Sequence, residues 1–152
     1  MLGHVLSHYL TKLNKYKIYN LSRSNSNQNN FYICDVKDSK HLLKIITEVN
    51  PEVVVNCIGL LNDDANKNSK EANLINSILP NYLIEISNNL KFRLIQISTD
   101  CVFSGLTGNY NEYSLKDSKD IYGKTKSKGE FDLKGHLTLR TSIIGPDLNK
   151  DG

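Results

Sequence analysis

The chain has 152 residues, with 19 basic against 16 acidic side chains and a formal net charge of +3. That length fits one domain, and a charge this balanced, with no dense basic run, argues against a nucleic-acid partner. No apolar run approaches the about 20 residues that a membrane span needs, so no membrane partner and a cytoplasmic location are expected; Cys34, Cys57 and Cys101 are too scattered for a disulfide framework or a zinc site and read as buried thiols.

Taken in chain order, Val5, Leu6, Tyr9, Leu10 and Leu13 recur at helical spacing, so the chain opens in a helix. Lys17–Leu21 reads as a short strand, the Ser/Asn/Gln stretch 24–30 as a loop, and Phe31–Val36 as a second strand. A helix over His41–Val49 follows, with Leu42, Leu43, Ile45, Ile46 and Val49 inward, Ser39 as its N-cap and Asn50-Pro51 as its stop. Val53–Ile58 is β-branched and apolar on both faces, the pattern of a strand buried on both sides of a parallel sheet. The segment 62–70 reads as a polar loop with solvated acids, and a long helix over Glu71–Asn88 is expected to be interrupted at Pro80. Arg93–Val102 is another buried strand. A long polar connection (Phe103–Ile121), a helix (Tyr122–Leu133) and a last strand (Leu137–Ile144) complete the series.

Alternation of strands and helices predicts an α/β fold with a doubly wound parallel sheet. Ligands in such sheets sit beyond the carboxyl ends of the strands. The residues there are Arg23, Asp35, Asn56–Gly59, Ser98–Asp100 and Thr141–Gly145. The Lys-rich stretch 116–128 carries interspersed acids and reads as a solvated face. His4 and His8 are one helical turn apart, but nothing is placed to complete a metal site, and none is expected.

The chemistry concentrates between Leu94 and Lys126. A strand ending in Ser98-Thr99-Asp100 is followed by Tyr122-x-x-x-Lys126 at the start of a helix. The spacing alone is close to what eight tyrosines and sixteen lysines give by chance; its weight comes from this context. At i, i+4 the two side chains share a helix face. Reducing a ketone puts negative charge on its oxygen, which calls for a positioned proton donor such as Tyr122. A neighbouring ammonium and a cationic nicotinamide ring would lower the phenol. A hydroxyl at the strand end can hold the same oxygen. Thr99 and Ser98 compete for that task, because successive strand side chains point to opposite faces.

Three blocks together resemble the dTDP-4-dehydrorhamnose reductase family of extended short-chain dehydrogenases/reductases. They are Ser98-Thr99-Asp100-Cys101-Val102-Phe103-Ser104-Gly105, Tyr122-Gly123-Lys124-Thr125-Lys126 with Gly129-Glu130, and Leu139-Arg140-Thr141-Ser142. Pro51–Gly59 and Asn76 with Pro80 extend the likeness. The resemblance implies an NAD(P)-binding Rossmann-like fold and reduction of a 4-keto-6-deoxy nucleotide sugar for surface polysaccharide. It implies Thr99, Tyr122 and Lys126 as the catalytic trio, with Lys126 also holding the ribose. It sets Cys57, Ile58 and Gly59 beside the cofactor, Asp35 and Val36 near the adenine, and Gly3 as the last glycine of a phosphate-binding turn. Arg23 tilts the choice between NADP and NAD toward NADP, although a plain surface arginine reads equally well. A homodimer is one assembly compatible with the resemblance. An epimerase or dehydratase of the same superfamily, and a non-catalytic relative of the methionine adenosyltransferase accessory subunit, are the alternatives.

The same resemblance sets an expectation for the ends of the chain. Residues 1–152 would form a partial NAD(P)-binding domain that lacks the family's first strand and its C-terminal substrate lobe. Lacking that central strand, the sheet would fall into two pieces with unpaired edges.

Overall fold

The structure, a computed structural model, describes residues 2–24 and 30–143. The chain divides into two compact units, Met1–Asn50 with Ile143–Gly152 and Pro51–Ser142. Among the described residues all strand pairings are parallel, and they form two ladders, a two-stranded β1-β2 and a three-stranded β3-β4-β5. Two sheet pieces were the expectation.

In the first unit, helix α1 (Leu2–Leu13) leads to β1 (Asn20–Ser22), β2 (Phe31–Ile33) and helix α2 (Ser39–Val49). Both strands are shorter than their apolar runs. The predicted inward face of α1 is not buried: Leu6 and Leu10 are half-buried, while Val5, Tyr9 and Leu13 are exposed. In α2 the buried stripe is Leu42, Ile45 and Ile46, a 3.6-residue period that leaves Leu43 outside it. The N-cap is Asp38 and not Ser39. Its carboxylate accepts the His41 N–H at 3.0 Å, a stronger acceptor one residue earlier. Asn50 closes the helix at φ 46°, a left-handed conformation that asparagine tolerates.

The second unit runs β3 (Val53–Asn56), α3 (Asn62–Lys67), α4 (Ser69–Asn73), a π-helical turn (Leu74–Ile78), α5 (Leu79–Leu90), β4 (Arg93–Thr99), a 3₁₀ turn (Asp100–Val102), α6 (Ile121–Lys128) and β5 (Leu137–Thr141). Strand β3, expected to be buried on both sides, pairs only with β4 among the described residues; Val53 is exposed and Val54 and Val55 half-buried.

The predicted loop at 62–70 is helical instead. Asp63 and Asp64 occupy the first turn of α3, where carboxylates favour a helix start. Asn68 caps α4 by accepting from Glu71 N at 3.1 Å and donating back to its carboxylate at 3.1 Å, a reciprocal cap.

Pro80 does not interrupt the long helix. It falls in the first turn of α5, directly after the π turn, whose wider bond runs from Leu79 N–H to Leu74 O. Proline has no N–H for the Asn76 carbonyl. That carbonyl faces Gly129, where an added Cβ would lie 2.0 Å from it.

Strand β4 stops three residues early, because the Thr99 hydroxyl accepts the Cys101 N–H at 3.1 Å and turns the chain into the 3₁₀ segment. Helix α6 also ends early, at Gly129.

Candidate active site

Leu94, Gln96 and Ser98 alternate along β4 as one buried face. Asn56, at the end of β3, donates to Gln96 Oε1 at 2.8 Å and accepts the Ile58 N–H at 3.1 Å. This buried pair fixes the start of the Cys57–Gly59 segment. The next residue, Leu60, is clamped by Asn76, which accepts its N–H at 2.8 Å and donates to its carbonyl at 2.9 Å. Asn76 also donates to Thr125 Oγ1 at 3.1 Å. The segment after β3 is thereby tied to α6, one residue before Lys126.

Helix α6 begins with Asp120 as its cap, accepting from Gly123 N–H at 2.7 Å. Gly123 has no alternative here: an added Cβ would lie 2.1 Å from the Cys101 carbonyl oxygen. This close approach brings Tyr122 to the end of β4, near enough for Thr99 to act on its phenol. Burial pushes the Tyr122 phenol above its ordinary value. The nearby Thr99 hydroxyl works the other way, and Cys101, Asp100 and Asp120 add to the rise. Unbound, Tyr122 is a protonated phenol at neutral pH.

Lys126 is buried and donates to the Ile97 carbonyl at 2.6 Å. Burial brings its ammonium down to about 8, while Glu130 and then Cys57 work against the fall. Gly59 stands next to it; a Cβ there would lie 3.7 Å from Lys126 Nζ.

Thr99 and Ser98 separate as neighbouring strand residues must. Thr99 faces Tyr122 and also donates to Asp100 Oδ1 at 3.2 Å, whereas Ser98 Oγ donates to Glu130 Oε1 at 2.5 Å. Ser142 bonds to the other Asp100 oxygen and joins the ends of β4 and β5. Hydrogen bonds from Ser142 and Thr99 hold Asp100 below the usual carboxylate range against burial.

The second unit thus brings Thr99, Tyr122, Lys126, Cys57, Ile58 and Gly59 to one end of its sheet. Gly3, Arg23, Asp35 and Val36 lie in the first unit. Gly3 is an exposed residue of the first turn of α1, and Arg23 is exposed just after β1. Asp35 accepts the Lys37 N–H at 3.0 Å and pairs with Lys37 Nζ at 3.6 Å; Val36 is half-buried.

Two readings need correction. Cys101 is exposed rather than buried, because it sits on the outside of the 3₁₀ turn and not in the strand. The 116–128 stretch is not simply a solvated face: Lys126 is buried, and Lys116 pairs with Glu130 at 3.2 Å. Sequence reasoning assigned no role to Glu130, Arg140 or Lys116. The available signal was an arginine inside the short apolar strand Leu137–Thr141 and an acid following the glycine that ends α6.

A parallel α/β layout with a hydroxyl, a tyrosine and a lysine gathered at one end of the sheet is that of the Rossmann-like NAD(P)-binding reductases. Within that class the chain belongs to the RmlD substrate binding domain family, whose model matches residues 1–147. Methionine adenosyltransferase 2 subunit beta of Xenopus laevis is 27% identical over 79% of this chain and 37% of its own length. The spore coat polysaccharide biosynthesis protein SpsK of Bacillus subtilis is 34% identical over 72% of this chain and 39% of its own. The crystal structure of a hypothetical dTDP-4-dehydrorhamnose reductase from Sulfolobus tokodaii superposes with a TM-score of 0.81 at 25% identity, over 91% of this chain and 51% of that one. The chain therefore spans between about a third and a half of these relatives' lengths.

Proposed function

We propose that this chain is the cofactor-side part of a reductase that converts the 4-ketone of a 6-deoxy nucleotide sugar to an alcohol, with NADPH or NADH as reductant. The observation that carries this reading is that α6, which bears Tyr122, sets the buried Lys126 onto the Ile97 carbonyl at the end of β4, two residues before Thr99.

A nicotinamide cofactor, when bound, supplies the hydride. The residues beside Lys126 fit its ribose. Gly59 leaves the approach free of a side chain, and an ammonium has three donors, of which one goes to Ile97. The chain's own part is proton transfer and orientation. The Thr99 hydroxyl holds the ketone oxygen, and Tyr122 gives that oxygen its phenolic proton as negative charge develops there. A phenol held protonated by burial suits a general acid. The Lys126 ammonium stabilises the tyrosinate left behind.

Arg23 supports NADP, by the preference of a 2′-phosphate for arginine. The likeness to the S. tokodaii reductase supports a dehydrorhamnose-type substrate, and the likeness to SpsK supports a place in polysaccharide synthesis. The likeness to the methionine adenosyltransferase subunit supports a second reading, a regulatory subunit that uses the fold to hold a partner.

One assay separates the two. Full-length protein is mixed with a dTDP-4-keto-6-deoxy sugar and NADPH, and absorbance loss at the nicotinamide band is followed. The reductase reading expects turnover that Tyr122→Phe abolishes. Absence of turnover with that substrate and either cofactor rejects it in favour of the regulatory reading.

A further inference from the structure

Glu130 follows the glycine that ends α6, four residues after Lys126. Its side chain is 3% exposed. Arg140 forks onto it with Nε at 3.0 Å and Nη2 at 2.9 Å, Ser98 Oγ donates at 2.5 Å and Lys116 Nζ lies at 3.2 Å. These are charge-assisted contacts, and the two-toothed arginine also fixes orientation. They come from β5, from β4 and from the connection between the 3₁₀ turn and α6. Burial alone would raise the carboxyl; the hydrogen bonds from Arg140 and Ser98, with Lys116, bring it below its ordinary value.

Nothing in the proposed proton transfer uses this cluster. As a pure scaffold it is a poor choice, because buried ion pairs are often no more stabilising than apolar replacements. What sets it apart is where it attaches. Glu130 takes the side chain of Ser98, and Lys126 takes the carbonyl of Ile97. Two residues four apart therefore grip consecutive positions of β4, directly before Thr99.

The cluster also reaches outward. Arg140 Nη1 donates to the Glu112 carbonyl at 3.2 Å, and its guanidinium lies 5.0 Å from the Phe103 ring centroid. Phe103 stacks on Tyr110 at 4.4 Å. Within the connection, Asp117 accepts both N–H and Oγ–H of Ser104 at 2.7 Å. Residues 103–120 are thus fastened to Glu130 through Lys116 and Arg140.

We propose that Glu130, held by Arg140 and Lys116, is a positioning residue that sets the end of β4 against α6 and anchors the 103–120 connection beside Thr99, Tyr122 and Lys126. This rests on the reductase reading and deepens it. Removing the Glu130 charge also withdraws support from the Lys126 ammonium, on which the other titratable group acting is Cys57, from the segment after β3.

The test uses full-length protein labelled with ¹³Cε-lysine, first without cofactor. The Lys126 resonance is assigned through Lys126→Arg. In Glu130→Gln, the Lys126 midpoint is expected to fall by about one pH unit, the low end for loss of a nearby opposite charge. Chymotryptic cutting after the exposed Tyr113 is expected to accelerate by about tenfold as the connection opens locally. Glu130→Asp keeps the charge and should restore most of the Lys126 midpoint.

In turnover assays Glu130→Gln should lower kcat by between about ten- and a hundredfold through misplacement of the reacting groups, and move the pH optimum downward. An unchanged Lys126 midpoint with unchanged cutting overturns the proposal. Should Glu130→Gln fail to fold, Lys116→Gln changes a side chain that is 35% exposed. It should still accelerate cutting after Tyr113, and an unchanged rate again overturns the proposal. If wild-type protein shows no reductase turnover, the reductase reading fails by itself. The titration and cutting results still decide what Glu130 does.

Discussion

Tyr122 and Lys126 carry opposite burdens of the same burial. Desolvation keeps the phenol protonated and pulls the ammonium down to about 8. The first is useful to a proton donor; the second limits the pH range in which a cation stands behind it. Tyr122→Phe is expected to cost between about a hundred- and ten-thousandfold in kcat, the range for a positioned general acid, with little change in KM. Steady-state kinetics on the full-length protein check this. Because Lys126 loses its proton near pH 8, turnover should decline as pH rises through that value. Lys126→Arg, charged throughout, should flatten that limb of the profile.

The four-residue spacing of Tyr122 and Lys126 was legible in the sequence, since helix periodicity alone puts them on one face. Strand alternation left Thr99 and Ser98 competing, and only the resemblance favoured Thr99. That the Thr99 hydroxyl turns the chain, and that a buried acid 32 residues away takes the Ser98 hydroxyl, was not legible.

At the scale of elements, the docking of α6 depends on a missing side chain. Gly123 lets the helix approach the 3₁₀ turn so closely that an added Cβ would lie 2.1 Å from the Cys101 oxygen and 2.2 Å from Ser118 Oγ. Gly123→Ala is expected to destabilise the fold by about 1–3 kcal/mol, the cost of overpacking. Urea unfolding would measure the loss, and a midpoint unchanged from wild type would contradict the close approach. Long periodic runs such as α2 and α5 were readable because their apolar stripes repeat at 3.6 residues. The helices α3 and α4 were not, because they are short, polar and held by Asn68 and first-turn acids rather than by a stripe. Pro80 misled for a related reason: its effect depends on the turn before it, and an isolated proline does not reveal a π turn.

For the whole molecule, the same lysine couples folding to pH. A lysine normally titrates at 10.5, and this one titrates near 8 when folded. Between those values the unfolded chain binds more protons than the native one, so stability rises with pH across that window. Below pH 8 the native state carries the full cost of a buried ammonium. The contribution is on the order of 3 kcal/mol. Other groups titrate in the same range, so the difference between wild type and Lys126→Met isolates it. That difference in unfolding free energy should change across pH 8–10.5 and stay flat from pH 6 to 7.5. A difference flat across the whole range would mean that Lys126 is not desolvated. At this scale the parallel α/β class was legible from strand–helix alternation, and its division into two ladders from the order the strands would take. The pairing of an arginine with an acid ten residues earlier in the sequence was not, because no local periodicity links them.

The π turn at Leu74–Ile78 makes the helix that holds Asn76 one residue longer than an α-helix of the same rise. The surplus behaves as a register mark. Deleting a single residue there would return the turn to α geometry with the turns on either side still in register, so that only the residues inside the turn change direction. Asn76 would leave the Leu60 peptide, and the joint between the segment after β3 and Thr125 would open with no change in the residues on either side. Along this helix, length is a functional variable, and a one-residue deletion would do more harm than most substitutions.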